Sequence, residues 1–152
     1  MQLNRNSWTV ALLIVAAIPL SACTKVTEGE ASAPQPFKIV KIQGTDANRL
    51  ELTKKAADRI GIQTAPIGET TGADGVTAEK VVDYAALIYD AEGHAFVYTN
   101  PDPLVFVRQS ITVDSIDGDR VLFSDGPPAG TVVVTVGVPE LFGIDSGVGG
   151  NE

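Results

Sequence analysis

The chain of 152 residues contains one cysteine, one histidine, one tryptophan and one methionine. A single cysteine excludes an intramolecular disulfide, and one histidine beside it excludes Cys/His zinc sites and multi-histidine centres. The only methionine is Met1, so no thioether cluster exists to take copper or silver. Aromatic residues make up 6% of the chain, so the core must lean on Val, Ile, Leu and Ala. Cations are scarce as well: eleven Lys and Arg face nineteen Asp and Glu, a formal charge of −8. That balance argues against nucleic acid as a partner, because phosphate contacts need clustered cations. The length itself predicts about one domain.

The chain has one long uncharged run, Trp8 to Leu20 (WTVALLIVAAIPL). It follows a short polar segment carrying Arg5 and precedes the small residues Ser21 and Ala22. A positive start, an apolar stretch of about 7–15 residues and small residues after it describe a secretory signal. A helix of that length is about 20 Å long at 1.5 Å per residue, short of a hydrocarbon core of roughly 30 Å. Leu20-Ser21-Ala22-Cys23 then resembles the lipobox of bacterial lipoprotein precursors. The resemblance implies a diacylglyceryl group on the Cys23 thiol and cleavage that makes Cys23 the new amino terminus. An ordinary secretory signal is the alternative, but the sole cysteine stands where the lipobox requires it. Processing would leave 130 residues with ten Lys and Arg against nineteen Asp and Glu. So acidic a body is expected to gain nothing from anionic head groups, leaving the acyl chains to hold it.

After Cys23, Thr24 to Pro36 (TKVTEGEASAPQP) is polar and Pro-containing, and residues 23–36 read as a lipidated Cys and flexible tether. From Phe37 the pattern turns to short strands. Phe37 to Ile42, Leu50 with Leu52, and Ile62 to Ile67 are three of them. Thr53 is expected to N-cap a helix over Lys54–Ile60, with Gly61 as its stop. Thr70 to Thr77 reads as a loop. Val81 to Tyr89, Ala95 to Thr99, Leu104 to Val113, Arg120 to Ser124 and Thr131 to Val136 follow as strands separated by turns. This spacing predicts a mainly β body over 37–143, a small antiparallel β-sandwich or barrel-like domain with one short helix. Residues 144–152 read as a Gly-rich tail, without the Lys and Ser/Thr of a phosphate loop.

Several stretches of this strand series resemble the membrane-proximal domain of periplasmic adaptors of the HlyD-like membrane fusion protein family, which serve tripartite efflux pumps. They are Tyr84 to Asp90 with Gly93, Phe96-Val97-Tyr98, Phe106-Val107-Arg108, Ile111 to Val113, Asp117 to Val121, and Gly130 to Gly143. Leu52 to Pro66 is similar to the segment that precedes the barrel and lipoyl parts in the same adaptors. The order of the pieces carries the likeness, which covers more than half of the mature chain. A complete adaptor places a β-barrel, a lipoyl domain and usually a helical hairpin between the two blocks. Here only the loop near Thr70–Thr77 stands there, which puts a bridging role in doubt. The resemblance implies a lipid-anchored, adaptor-like piece contacting an export transporter permease or another adaptor on the extracytoplasmic face of a bacterial cell membrane. Tyr98, Phe106, Arg108 and Phe142 are the candidate contact residues, since aromatics and Arg are enriched at interface hot spots. Ordinary strand packing is the competing account of Phe106 and Phe142.

Other clusters have plainer readings. His94 lies beside Glu92 and Asp90 after a turn, a weak metal-ligand set with Asp102 as a further neighbour, and otherwise an exposed hairpin histidine. Asp114, Asp117, Asp119 and Asp125 lack the Gly and Glu spacing of a calcium loop and read as solvated turns. Ser110 and Ser124 have only His94 as a prospective base, so a hydrolytic triad is not expected. No cofactor beyond the lipid, and no enzymatic activity, is expected. The competing class is a free-standing lipoprotein that binds a small ligand or cation through its acidic loops. Anchoring by Cys23 is checked by fractionation: Cys23→Ala is expected to leave the membrane fraction, and its retention at wild-type level would refute the anchor.

Overall fold

The computed structural model describes residues 35–45, 47–72 and 75–148. The apolar segment, the lipobox and all of the tether before Gln35 lie outside them. Alternation of apolar and charged residues makes Phe37–Lys41 (β1) and Asn48–Leu52 (β2) an antiparallel pair, with Phe37 opposite Leu52 and Lys41 opposite Asn48. Helix Lys54–Ile60 (α1) has the predicted caps. Thr53 Oγ1 accepts the Ala56 N–H at 3.2 Å, and Gly61 takes φ +75°, a left-handed stop that costs glycine little.

Short strands Gln63–Pro66 (β3) and Gly68–Thr71 (β4) follow, then Ala78–Asp83 (β5). The expected strand Val81–Tyr89 is broken in its middle. Asp83 accepts the Ala85 N–H at 2.8 Å and caps a 3-10 turn over Tyr84–Ala86, after which Ile88–Tyr89 (β6) resumes. A carboxylate that satisfies a backbone donor two residues on competes with the ladder and wins. Ala95–Asp102 (β7) and Val105–Asp117 (β8) form the longest pair, joined through Leu104 at φ +63°. Asn100 Nδ2 donates to the carbonyls of Asp102 and Val105 at 2.8 Å each and ties that turn together. Arg120–Asp125 (β9) and Val132–Val136 (β10) complete the strands.

The strands make one curled antiparallel sheet, a half-barrel with 52% of the described residues in strands and two short helices among them. Its order is β3-β10-β7-β8-β9-β5-β4, with β2 joined to β8, β1 to β2, and β6 to β7. The mainly β class is as the sequence reading had it, in the barrel-like form. The helix count differs. Val138–Asp145 (α2) is a second helix, and it carries the body two residues into the segment read as tail. Gly137 opens it at φ +96°, where a Cβ would meet Ile60 Cγ2 at 2.7 Å, so glycine is required there. Pro139 in the first turn and Glu140 beside it suit a helix start.

Two apolar clusters fill the fold. One gathers Ile67, Val82, Val97, Ile111, Val121, Phe123 and Val133. The other gathers Leu50, Leu52, Ala57, Tyr98, Phe106, Val134, Val138 and Leu141, where α1, α2 and β2 meet the sheet. Phe123 is fully buried in the first. Phe123→Ala is expected to cost about 3–5 kcal/mol, from lost transfer energy plus the cavity left behind. Urea unfolding followed by circular dichroism measures it, and a loss below about 1 kcal/mol would contradict this packing.

Candidate functional site

The face shared by β7 and β8 is half covered. Directly opposed residues share a face, so Tyr98 with Arg108 and Phe96 with Ser110 lie on the same side. Over Tyr98 and Phe106 the face is closed by α2, whose Leu141 and Val138 are buried against them. The helix ends at Asp145, and beyond its end the face opens into a groove of about 950 Å³. Tyr89, Asp90, His94, Phe96, Arg108 and Ser110 line it, with Thr45 and Ala47 of the β1–β2 turn on the far side.

At the closed end lies a buried polar knot. The Asp145 side chain is 1% exposed and forms an ion pair with Arg108 Nε at 3.1 Å. It also accepts from the Tyr98 hydroxyl at 2.9 Å and from Asn48 Nδ2 at 2.7 Å. Burial pushes the Tyr98 phenol above its ordinary range, and the Asp145 carboxylate adds to this by charge and by its hydrogen bond, while Arg108 works the other way. The Arg108 guanidinium lies 4.7 Å from the Phe96 ring centroid, a cation over an aromatic face. Asp145 from beneath and Phe96 alongside therefore fix one cation at the inner wall of the groove.

At the open end, Asp90 organises the turn before β7. Its Oδ1 accepts the N–H groups of Glu92 at 3.1 Å and His94 at 2.8 Å, and its Oδ2 lies 3.0 Å from His94 Nδ1. Desolvation is the largest single influence on the Asp90 carboxyl and pushes it up, but the His94 hydrogen bonds and charge and the Glu92 N–H together outweigh it and hold the carboxyl below its usual range. The His94 ring meets Phe96 edge-on at 6.4 Å between centroids.

The four contact candidates fare differently. Tyr98 and Phe106 are buried, at 0% and 2% exposure, and Phe142 packs part-buried against the same cluster. Tyr98 and Phe106 serve the core because α2, which the sequence reading did not expect, covers them, and Phe142 is a residue of that helix. Arg108 alone of the four reaches the groove. Of the weak metal set, Asp90 and His94 come together, whereas Glu92 enters through its backbone N–H. Among the described residues no group of three or more His, Cys, Asp or Glu is placed to hold a metal ion. Asp114 accepts from Ser124 Oγ at 3.0 Å, which ties two β8–β9 hairpin residues together across the ladder. Ser110 lines the groove with His94, but no hydrogen bond joins them among the described residues. Sequence reasoning missed Asp145, Asn48 and Phe96; the Gly-flanked Asp145 carried no signal, whereas Pro139 and Glu140 could have marked the helix that delivers it.

No family model matches the chain, and no curated protein matches it.

Removing one partner of a buried ion pair leaves an uncompensated charge, so Asp145→Ala is expected to cost about 3–5 kcal/mol in urea unfolding. Stability should also depend on pH through Tyr98. Its folded pKa is raised, so its contribution is whole below pH ~10 and is lost as pH rises further, when only the unfolded chain releases the proton. Wild type should lose up to about 1.4 kcal/mol per pH unit there relative to Tyr98→Phe. Parallel pH profiles for the two proteins would contradict this coupling.

Proposed function

We propose that this chain is a lipid-anchored extracytoplasmic protein that works by protein contact, as an adaptor-like or accessory subunit of an export transporter. The observation that carries the proposal is the ordered set of adaptor-like segments from Leu52 to Gly143, preceded by Leu20-Ser21-Ala22-Cys23. Cys23 is the residue that takes the diacylglyceryl lipid, and the partner is a transporter permease or a second adaptor carrying the lipoyl and hairpin parts. A mainly β body is the class of fold this reading needs. The contact surface, however, moves from the buried aromatics to the groove. Arg108 and Phe96 supply its fixed inner wall, and Tyr89, 45% exposed, supplies an aromatic side chain open to a partner. Exposed aromatics and ordered Arg side chains are the residue types that carry binding energy at protein interfaces.

A second reading has one observation in its favour. The same groove, with Asp90 and His94 at its rim, is large enough for a small ligand. A free-standing binding lipoprotein would then hold a small molecule or cation there.

Crosslinking in intact cells separates the two. The adaptor reading expects an export permease or adaptor subunit to co-purify, with capture falling at least tenfold in Tyr89→Ala, the loss of roughly 1.4 kcal/mol or more at an interface anchor. Absence of any transporter subunit, together with micromolar zinc or calcium binding abolished by changing Asp90, Glu92 and His94, would overturn it in favour of the second.

A further inference from the structure

We infer that the half of the body built from β1, β2 and α1 lies against anionic phospholipid head groups, with the β8–β9 hairpin directed away from the membrane. The inference rests on the reading that Cys23 anchors the chain, and it concerns which face that anchor presents to the lipid.

The net charge of −8 conceals an uneven distribution. Six cations, Lys38, Lys41, Arg49, Lys54, Lys55 and Arg59, belong to β1, β2 and α1. On or beside these elements stand four described acids, of which three are already paired. Glu51 meets Arg49 at 3.2 Å and Lys38 at 4.0 Å, Asp102 meets Arg49 at 3.3 Å, and Asp58 meets Lys54 at 2.6 Å. The fourth, Glu140, is an exposed residue of α2. Asp90, held by His94, shares the groove lining with Thr45 and Ala47 of the β1–β2 turn, with Glu92 two residues on, and Asp46 of that turn lies outside the described residues. Lys41, Lys55 and Arg59 are exposed and have no acidic partner among the described residues. Arg108 and Asp145 cancel each other in the buried knot.

The opposite end has the opposite sign. Glu69 on β4, Glu79 and Asp83 on β5, and Asp114, Asp117, Asp119 and Asp125 around the β8–β9 hairpin face only Lys80 and Arg120. Topology keeps the two sets apart, because both hang on the same strand. Residues 105–107 of β8 pair with β2, whereas its residues 112–117 pair with β9, which leads on to β5 and β4. A strand of 13 residues extends about 40 Å at roughly 3.3 Å per residue.

Distance then decides the sign that a surface senses. At physiological ionic strength the screening length is about 8 Å, so a lipid surface interacts with the charges nearest to it and not with the total. A cytoplasmic-membrane lipid surface rich in phosphatidylglycerol attracts juxtamembrane Lys and Arg and repels carboxylates. The chain enters the body at Phe37, the first residue of the basic half, directly after the segment from Cys23. Of the two ends, the basic one is therefore both the favoured neighbour of anionic lipid and the one nearest in sequence to the anchor.

The test uses the full lipidated protein, reconstituted in phosphatidylcholine vesicles with or without phosphatidylglycerol and recovered by flotation. Lipidation blocks the only native thiol, so Lys55→Cys and Asp119→Cys each offer one site for a fluorescent probe. With phosphatidylglycerol present, a head-group quencher should quench the probe at 55 several-fold more than the probe at 119. The preference should vanish in pure phosphatidylcholine, at high salt, and when Lys41→Glu and Arg59→Glu are added. Equal quenching of the two probes on retained protein overturns the orientation while leaving the anchor standing. Protein that fails to float with either vesicle overturns the anchor and the orientation with it.

Discussion

Strand β8 is the constraint on which the rest of the body depends. Its first residues pair with β2 and β7, and its last residues pair with β9, so one strand belongs to both halves of the curled sheet. Register shifts between Thr112 and Ser115 accommodate the change of neighbour and the curl. The two apolar clusters follow from this division. One sits under β5, β9 and β10 around Phe123, and the other sits between β2, α1 and α2 around Leu50 and Phe106. The charge division follows it as well, because the cations are carried by the elements on β2 and the carboxylates by those on β9.

The second dependency is electrostatic and local. Helix α2 is short and contains Gly143, so its intrinsic stability is small. Burial of Val138 and Leu141 holds its first turns, and the Asp145 carboxylate pins its end through Tyr98, Asn48 and Arg108. That pin also decides where the β7–β8 face is covered and where it is open. The groove therefore exists because the helix stops at Asp145, and Arg108 is fixed in its wall by the same interaction.

Much of the fold was legible in the sequence because its signals are local. Thr53 and Gly61 bracket α1 as their capping chemistry requires, and alternation marks β1, β2 and the β9 hairpin without help from tertiary contacts. What the sequence obscured was tertiary. The Asp83 cap that splits the Val81–Tyr89 run reads as one polar residue in an apolar strand. Helix α2 reads as the close of the β body running into a glycine-rich tail, since its reasons for being helical lie in Gly137 against Ile60 and in Asp145 bonded to Tyr98. Tyr98 and Phe106 look like interface aromatics until the helix that covers them is known. The −8 likewise reads as uniformly acidic until the topology sorts the charges to opposite ends of β8.

These constraints give a coherent account of a tethered β body. An anchor at Cys23 would hold it, a basic end would set its attitude at the lipid, and a groove walled by Arg108 and Phe96 would meet a partner. Everything in that account passes through the cysteine. The most direct measurement is the intact mass of the protein extracted from membranes of the cell that makes it. The account predicts a chain beginning at Cys23 with the mass of a diacylglyceryl group added to it. A chain carrying an unmodified Cys23 thiol, or one released in water-soluble form after cleavage elsewhere, would contradict it.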